Sequence, residues 1–444
     1  MRDLTNGTIT KQILLFSLPI FIGNLFNLAY NLADTRVIGS FLGNEALAAV
    51  GSISTLSDML VYFLVGLANG FAILTANHFG SKDEAGVRKS IGCSLLLGTV
   101  ITLCLTAAIL VLRPGLFAIL HIMEEHEARA NAYITVITCG LLFTFLYNML
   151  AAALRAIGDA FTPLLFLIFS ACMNIGLDYF FVGGLGAGVE GAAFATVFSQ
   201  LVSVVLCLVY AWKKYPFLHL ALADFRTERR EGKALLASGI SMAMMSSLVS
   251  IGTVSLQTAI NTLGTNTIVA HAATRKVTSL YMLPHSALAT AMATFAGQNY
   301  GAGRLERIRL GIKKVLTICY VWAVIVVVIS YTILPQIIAA ITATDLTEVI
   351  RTACLYQRID TLFYLVPPTI SVLRNSLQGM GERVIPLYSS GIELVGKVLI
   401  AFLLTPCLGY WAIIWSEPIV WVLMVIPLIF SMRSRLKGSA ESVN

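Results

Sequence analysis

Four oxygen-bearing side chains stand out by type and spacing in an otherwise apolar chain: Asp34, Asn174, Asp178 and Thr196. Asn174 and Asp178 lie four residues apart, one helical turn above the other on a single face. Asp34 closes a run, 11–39, that also carries Asn24, Asn27 and Asn31. At about 100° per residue these four fall within an arc of roughly 80°, a narrow polar stripe on a greasy helix. A carboxylate inside a bilayer costs about 2.5–3.5 kcal/mol on insertion scales, so it normally faces protein or a hydrated cavity. Two carboxylates in one low-dielectric pocket do not both stay charged unaided; one takes up a proton or a cation binds. Hard oxygen ligands suit Na⁺, and a protonatable carboxylate suits H⁺, so the four residues read as a proton or sodium coupling site. Thr196 and Ser199 sit among small residues (GAGVEGAAFATVFSQ), which let helices approach closely.

The elements that must position them are membrane helices. The chain has 444 residues, 57% hydrophobic and 12% charged, with a mean hydropathy of +0.84. That balance implies a polytopic helical membrane protein. Apolar segments of spanning length run near 12–38, 46–74, 89–112, 129–153, 162–183 and 191–212. They resume near 233–259, 267–294, 310–334, 350–373, 385–405 and 410–431, making twelve candidate helices. The basic start, 1–11, leads into a run too long for a signal-peptide core and without a small-residue cleavage site, so no cleavable leader is expected. Eight cysteines are scattered through apolar runs without a CxxC pair and read as small core hydrophobes. The net charge of +7 is concentrated in alternate connections, including Lys82, Arg88, Lys213, Lys214, Arg229, Arg304 and Arg307. By the positive-inside rule both termini are cytoplasmic, and the charge sets topology without implying nucleic acid.

The chain repeats itself. Leu42-Gly43-Asn44 aligns with Leu263-Gly264-Thr265, Asn77–Gly80 aligns with Gln298–Gly301 at the same offset, and LRAIGDAFTP from Leu154 matches LQGMGERVIP from Leu377. Six helices per repeat is an even number, so both halves insert with the same orientation, related by a pseudo-two-fold along the membrane normal with a cleft between them. The expected organisation is an all-α membrane protein: an N-terminal lobe 1–212, a cytoplasmic linker 213–232 and a C-terminal lobe 233–444. Pro19 lies inside the first helix and lacks a backbone N–H, so it is a candidate hinge.

Other polar residues carry less. Asp58 either lines the cleft or ties helices together. Glu393 and Lys397, spaced i, i+4, neutralise each other. Arg275, Lys276, Arg358, Asp360 and Glu417 either line the cleft or snorkel. Asn27, Tyr30, Asn31, Asp58, Phe63, Tyr281 and Tyr364 are candidates for the substrate cleft, where the aromatic rings would stack on an organic cation. No metal-ligand spacing, Walker A loop, HExxH or nucleophile elbow occurs, so no enzyme and no cofactor is expected; the driving force would be an ion gradient.

These residues resemble the multidrug and toxic compound extrusion (MATE) transporters over nearly the whole chain. LADTRVIGSFLGNEALAAVG from Leu32 looks like that family's first-helix signature, ALRAIGDAFTP from Ala153 like its fourth loop, and AGQNYGAGR from Ala296 like its eighth. In the DinF-like branch, Asp34, Asn174, Asp178 and Thr196 fall on the positions of a first-lobe cation site, and Pro19 on the proline that lets helix one bend. The NorM-like branch has a helix-seven glutamate, absent from 238–260 here, and Asp360 stands elsewhere in helix ten. The resemblance implies an H⁺- or Na⁺-coupled antiporter of the cytoplasmic membrane, a monomer among lipids, exporting small organic, often cationic or amphipathic compounds by alternating access. The other reading is a lipid-linked saccharide flippase of the same two-lobe plan, which would need a cationic cavity; Arg275, Lys276 and Arg358 speak for it, and Asp34 with Asp178 against.

Overall fold

The computed structural model describes residues 2–119, 122–226, 228–342 and 347–437, so position 227 of the expected linker and 438–444 of the second lobe lie outside the described residues. Among these residues the chain is helical throughout, without a strand. The long helices are α1 (Ile9–Gly43), α2 (Glu45–Gly80), α3 (Glu84–Ala118), α4 (Glu124–Ala156), α5 (Phe161–Gly184) and α6 (Val189–Lys214). The second series is α7 (Arg229–Ile260), α8 (Thr265–Gly301), α9 (Leu305–Thr332), α10, α11 (Val384–Leu408) and α12 (Tyr410–Lys437). Helix α10 comes in two pieces, Thr347–Leu362 and Val366–Gly379, and a short helix Leu334–Thr342 follows α9. Among the described residues, ten helices are long and apolar enough to cross a membrane. The other two of the twelve expected spans are α8, made polar by His271, Arg275, Lys276 and His285, and α10, interrupted before Val366-Pro367-Pro368.

The backbone carries the repeat as clearly as the letters do. Left-handed residues recur in pairs: Gly43 (φ 80°) with Gly264 (φ 90°), Lys82 (φ 63°) with Gly303 (φ 70°), Gly158 (φ 86°) with Gly381 (φ 79°), and Gly186 (φ 65°) with Gly409 (φ 56°). Positive φ is costly for residues with a Cβ, so each such turn is a deliberate feature of the chain path. A wide turn also recurs late in α5 and α11, at Tyr179–Gly184 and Ile400–Leu404.

Two compact units emerge, but their boundaries differ from the expected lobes. The first comprises residues 1–3 and 18–243, the second 4–17 and 244–444. Residues 213–232, expected as a linker, pack into the first unit. Gly92 on α3 sits so close to the Asp224 carbonyl that an added Cβ would lie 2.6 Å from it, Cys93 Sγ points at the same oxygen (3.6 Å), and Arg88 approaches the Asp224 carboxylate (3.8 Å). The start of α7 belongs there too, because Gly66 and Gly70 of α2 admit the backbone of 238–243. In the second unit the first residues are tied to the α8–α9 turn: Leu4 N donates to Gln298 Oε1 (2.9 Å), Asn299 Nδ2 to the Leu4 carbonyl (3.2 Å) and Arg307 to the Gly7 carbonyl (3.1 Å).

Between α4 and α5, Asp159 accepts hydrogen bonds from Thr162 N (3.0 Å), Thr162 Oγ1 (2.7 Å) and Tyr215 Oη (2.6 Å). Burial pushes this carboxyl up, but the bonds from Tyr215 and Thr162 outweigh it and hold Asp159 below the usual carboxylate range. Its repeat partner Glu382 is held low in the same way, burial being outweighed by Arg435. A carboxyl whose folded pKa is depressed adds stability above its unfolded pKa and loses it as pH falls through the folded value. Asp159→Asn is therefore expected to cost about 1.5–3 kcal/mol near neutrality. In thermal melts of the purified protein the deficit should narrow as pH drops below about 4, the unfolded Asp value.

Candidate functional site

Within the first unit, α1, α5 and α6 bring the four expected residues together. Asn174 and Asp178, one turn apart on α5, are 2% and 0% exposed. Asn174 Nδ2 donates to Thr196 Oγ1 on α6 (3.2 Å), and Tyr30 Oη on α1 lies 3.4 Å from the same oxygen. Thr196 itself bonds back to the Ala192 carbonyl (3.2 Å), which fixes its rotamer. One turn beyond Tyr30, Asp34 meets Asp178 closely enough for a proton on one carboxyl to bond the other. Without that proton, Asp34 Oδ1 and both oxygens of Asp178 are buried with no donor, and Asn174 Oδ1 is also unpartnered. The result is a nest of acceptors with no donor or positive charge supplied by the protein at those atoms. Buried unsatisfied oxygens of this kind call for an ion, a proton or a water.

Tyr133 on α4 lies near Asp34, Asp58 and Asp178, and the sequence reading missed it. An aromatic hydroxyl early in α4 gives no periodic signal. Of the cleft candidates, Asn27, Asn31 and Asp58 are exposed, and Tyr30 and Phe63 half-buried. Tyr281 and Tyr364 are arranged otherwise than expected: 7% and 1% exposed, they meet edge to face at 6.3 Å in the second unit's interior. Trp322 and Trp421 complete that packing, leaving Tyr364 no open face for a ligand. Pro19 stands within continuous helix; the only non-helical residue between 9 and 80 is Gly43.

The second unit holds its own charges in contact. Lys397 Nζ is 2.9 Å from Glu393 and 3.1 Å from Glu417; Arg374 lies 3.9 Å from Glu393, and Arg275 3.8 Å from Glu417. Arg358 donates to the Ser330 carbonyl (3.2 Å) and lies over the Tyr331 ring (5.6 Å). Arg275 and Arg358 thus have partners, which removes most of the support for a pyrophosphate-holding cavity.

Removing a neutral side chain of the acidic pocket should be mild. Asn174→Ala and Thr196→Ala each delete a net contribution of about 1 kcal/mol. A slightly lowered thermal midpoint of the purified protein, with the fold retained, is the expected outcome.

Repeated units of helices long and apolar enough to cross a membrane, with an acidic pocket among the helices of the first, are the plan of a membrane carrier. The family model described as MatE matches twice, over residues 19–180 and 241–403, one match per repeat. The probable multidrug resistance protein YpnP of Bacillus subtilis (strain 168) is 30% identical over 310 residues, spanning 69% of this chain and 68% of that protein. YoeA of the same organism, also a probable multidrug resistance protein, is 27% identical over 91% of this chain and 90% of its own. A solved structure, described as MATE in the bent conformation, superposes with a TM-score of 0.91 at 25% identity, covering 99% of this chain and 98% of that one. The chain belongs to the MATE family of multidrug transporters. It is a multi-pass membrane protein and not an enzyme, and the fold is that family's two lobes of six helices.

Proposed function

We propose that the protein is a cation-coupled antiporter that exports organic, often cationic or amphipathic compounds across the cytoplasmic membrane by alternating access. Asp34, Asn174, Asp178 and Thr196 take up H⁺ or Na⁺, and Pro19 gives α1 its freedom to bend. One observation carries the reading: the buried Asp178 carboxyl and the half-buried Asp34 carboxyl stand side by side, with no positive charge from the protein at their buried oxygens. A cation that enters from outside and leaves inside supplies that charge for part of each cycle, and this is what couples its gradient to efflux. The cation is the coupling ion and no cofactor takes part. The working form is a monomer in lipid with both termini cytoplasmic, following the positive-inside bias of the connections.

The deciding measurement is ethidium efflux from loaded proteoliposomes under an imposed ΔpH, an imposed Na⁺ gradient, or neither. Efflux that follows one gradient names the ion. Efflux indifferent to both removes the coupling from this reading. Reporter fusions at Lys214 and Arg435 test the orientation, and an extracytoplasmic signal from either contradicts it.

A further inference from the structure

The repeat allows the second unit to be searched for the counterpart of the acidic pocket. Asn174 stands fifteen residues beyond Asp159, and Lys397 stands fifteen beyond its repeat partner Glu382. The matching left-handed glycines, Gly186 and Gly409, keep the same register at the far ends of α5 and α11. The turn after Gly409 is two residues shorter than that after Gly186, α12 starting at Tyr410 and α6 at Val189, so counted from the helix starts Thr196 and Glu417 are both the eighth residue. The contacts agree with the count. Asn174 touches Thr196 at 3.2 Å in one unit, and Lys397 touches Glu417 at 3.1 Å in the other. The two carboxylates of the first pocket are gone: Ala401 stands where Asp178 does, and Ser255, nine residues before Gly264, where Asp34 precedes Gly43. In their place Glu393 and Glu417 grip the Lys397 ammonium from two sides, with all three side chains buried.

We propose that Lys397 is a tethered cation: its ammonium fills, in the second unit, a monovalent-cation site equivalent to the one in the first. This rests on the reading of the first pocket as a cation site. A stem anchored to α11 holds the charge permanently, so the second site cannot exchange and cannot couple. Buried ion pairs of this kind are rarely better than apolar packing for stability, so stability alone does not explain two glutamates around one lysine. Gly252 on α7 gives the stem room, since an added Cβ there would stand 3.2 Å from Lys397 Cδ. Removing the tether should therefore leave a vacant site for a small monovalent ammonium ion, lined by Glu393 and Glu417 and flanked by Arg374 and Arg275.

The test is chemical rescue of Lys397→Ala with ethylammonium chloride, read as the thermal midpoint of the detergent-purified protein. The midpoint should fall in the variant and recover saturably with ethylammonium. Tetramethylammonium, which has no N–H to donate and is too broad, should do nothing at equal ionic strength, and the wild-type protein should respond to neither. A variant that can be purified only in the presence of ethylammonium supports the site equally. Lys397→Asn, which copies Asn174, covers the case in which Lys397→Ala does not fold at all. A folded Lys397→Asn protein without ethylammonium binding by calorimetry overturns the proposal, as does an equal response in the wild type. Each measurement is repeated with Asp34→Asn. If that change abolishes the amine response, the amine sits in the first unit and the proposal fails. If the first pocket proves not to bind a cation but the amine response stands, only the first-pocket reading is lost.

Discussion

Asp34→Asn and Asp178→Asn proteins should insert, fold and reach the membrane in normal amount, yet show gradient-driven efflux no faster than empty vesicles. An amide fills nearly the same volume as a carboxyl, so the packing of α1 against α5 is kept. What is lost is the only ionisable pair in the pocket. One carboxyl then stays beside Asn174 and Thr196, no longer opposed by a like charge, so the repulsion that ties its charge to the arrival of a cation is gone. The loss should be total for either substitution, because a single remaining carboxyl has no partner with which to share a proton or a metal cation. Glu393→Gln lies in the other unit and leaves Lys397 with Glu417, so coupling should survive it. Efflux of ethidium by reconstituted protein, normalised to the amount inserted, decides the matter. Wild-type gradient dependence in Asp34→Asn would show that the polar stripe of α1 is structural.

The second large effect is expected from Gly70→Leu. A Cβ at Gly70 would come within 2.4 Å of the Ser238 carbonyl and 2.7 Å of Gly239 Cα; at Gly66 it would lie 2.7 Å from the Met242 carbonyl. All of these are backbone atoms, so no side chain can swing aside to relieve the clash. The glycines are four apart on α2, the small-xxx-small spacing that lets two membrane helices touch main chain to main chain. A leucine would push the start of α7 off α2. The penalty exceeds the usual 1–3 kcal/mol of an overpacked core, because the rigid backbone cannot yield. The variant should be recovered at a small fraction of wild-type yield and run as an aggregate in size-exclusion chromatography. Gly51→Ala, a site open to space, should be neutral in the same assay.

Much of the fold was legible from period and repetition. The asparagine ladder ending at Asp34 and the i, i+4 pair on α5 are local signals, and the structure brings them into one pocket through α6. The paired motifs at Gly43/Gly264 and Gly158/Gly381 mark turns whose left-handed backbone only the structure reveals. Residues 213–232 look like a free connection because they are polar and end in basic residues. Their docking depends on Gly92 leaving room for the Asp224 carbonyl and on Tyr215 reaching Asp159, and neither contact leaves a periodic trace. The GLANG run from Gly66 did carry a legible spacing, but it names no partner, and Ser238, which Gly70 meets, is 168 residues further along the chain. Tyr281 and Tyr364 read as stacking platforms because ring chemistry is the same whether a ring faces a ligand or another ring.

The assignment of 238–243 to the first unit has a consequence for synthesis. A nascent chain emerges in order, and by residue 214 all six helices of the first repeat are made. Gly66 and Gly70 are still bare at that moment, since the backbone that covers them has not left the ribosome. The first half therefore cannot complete its packing as a separate product of translation. It must wait in the membrane, with an open seam along α2, until the beginning of the second repeat arrives. A gene cut between the halves would yield a front fragment that quality-control proteases recognise, unless the cut falls after residue 243.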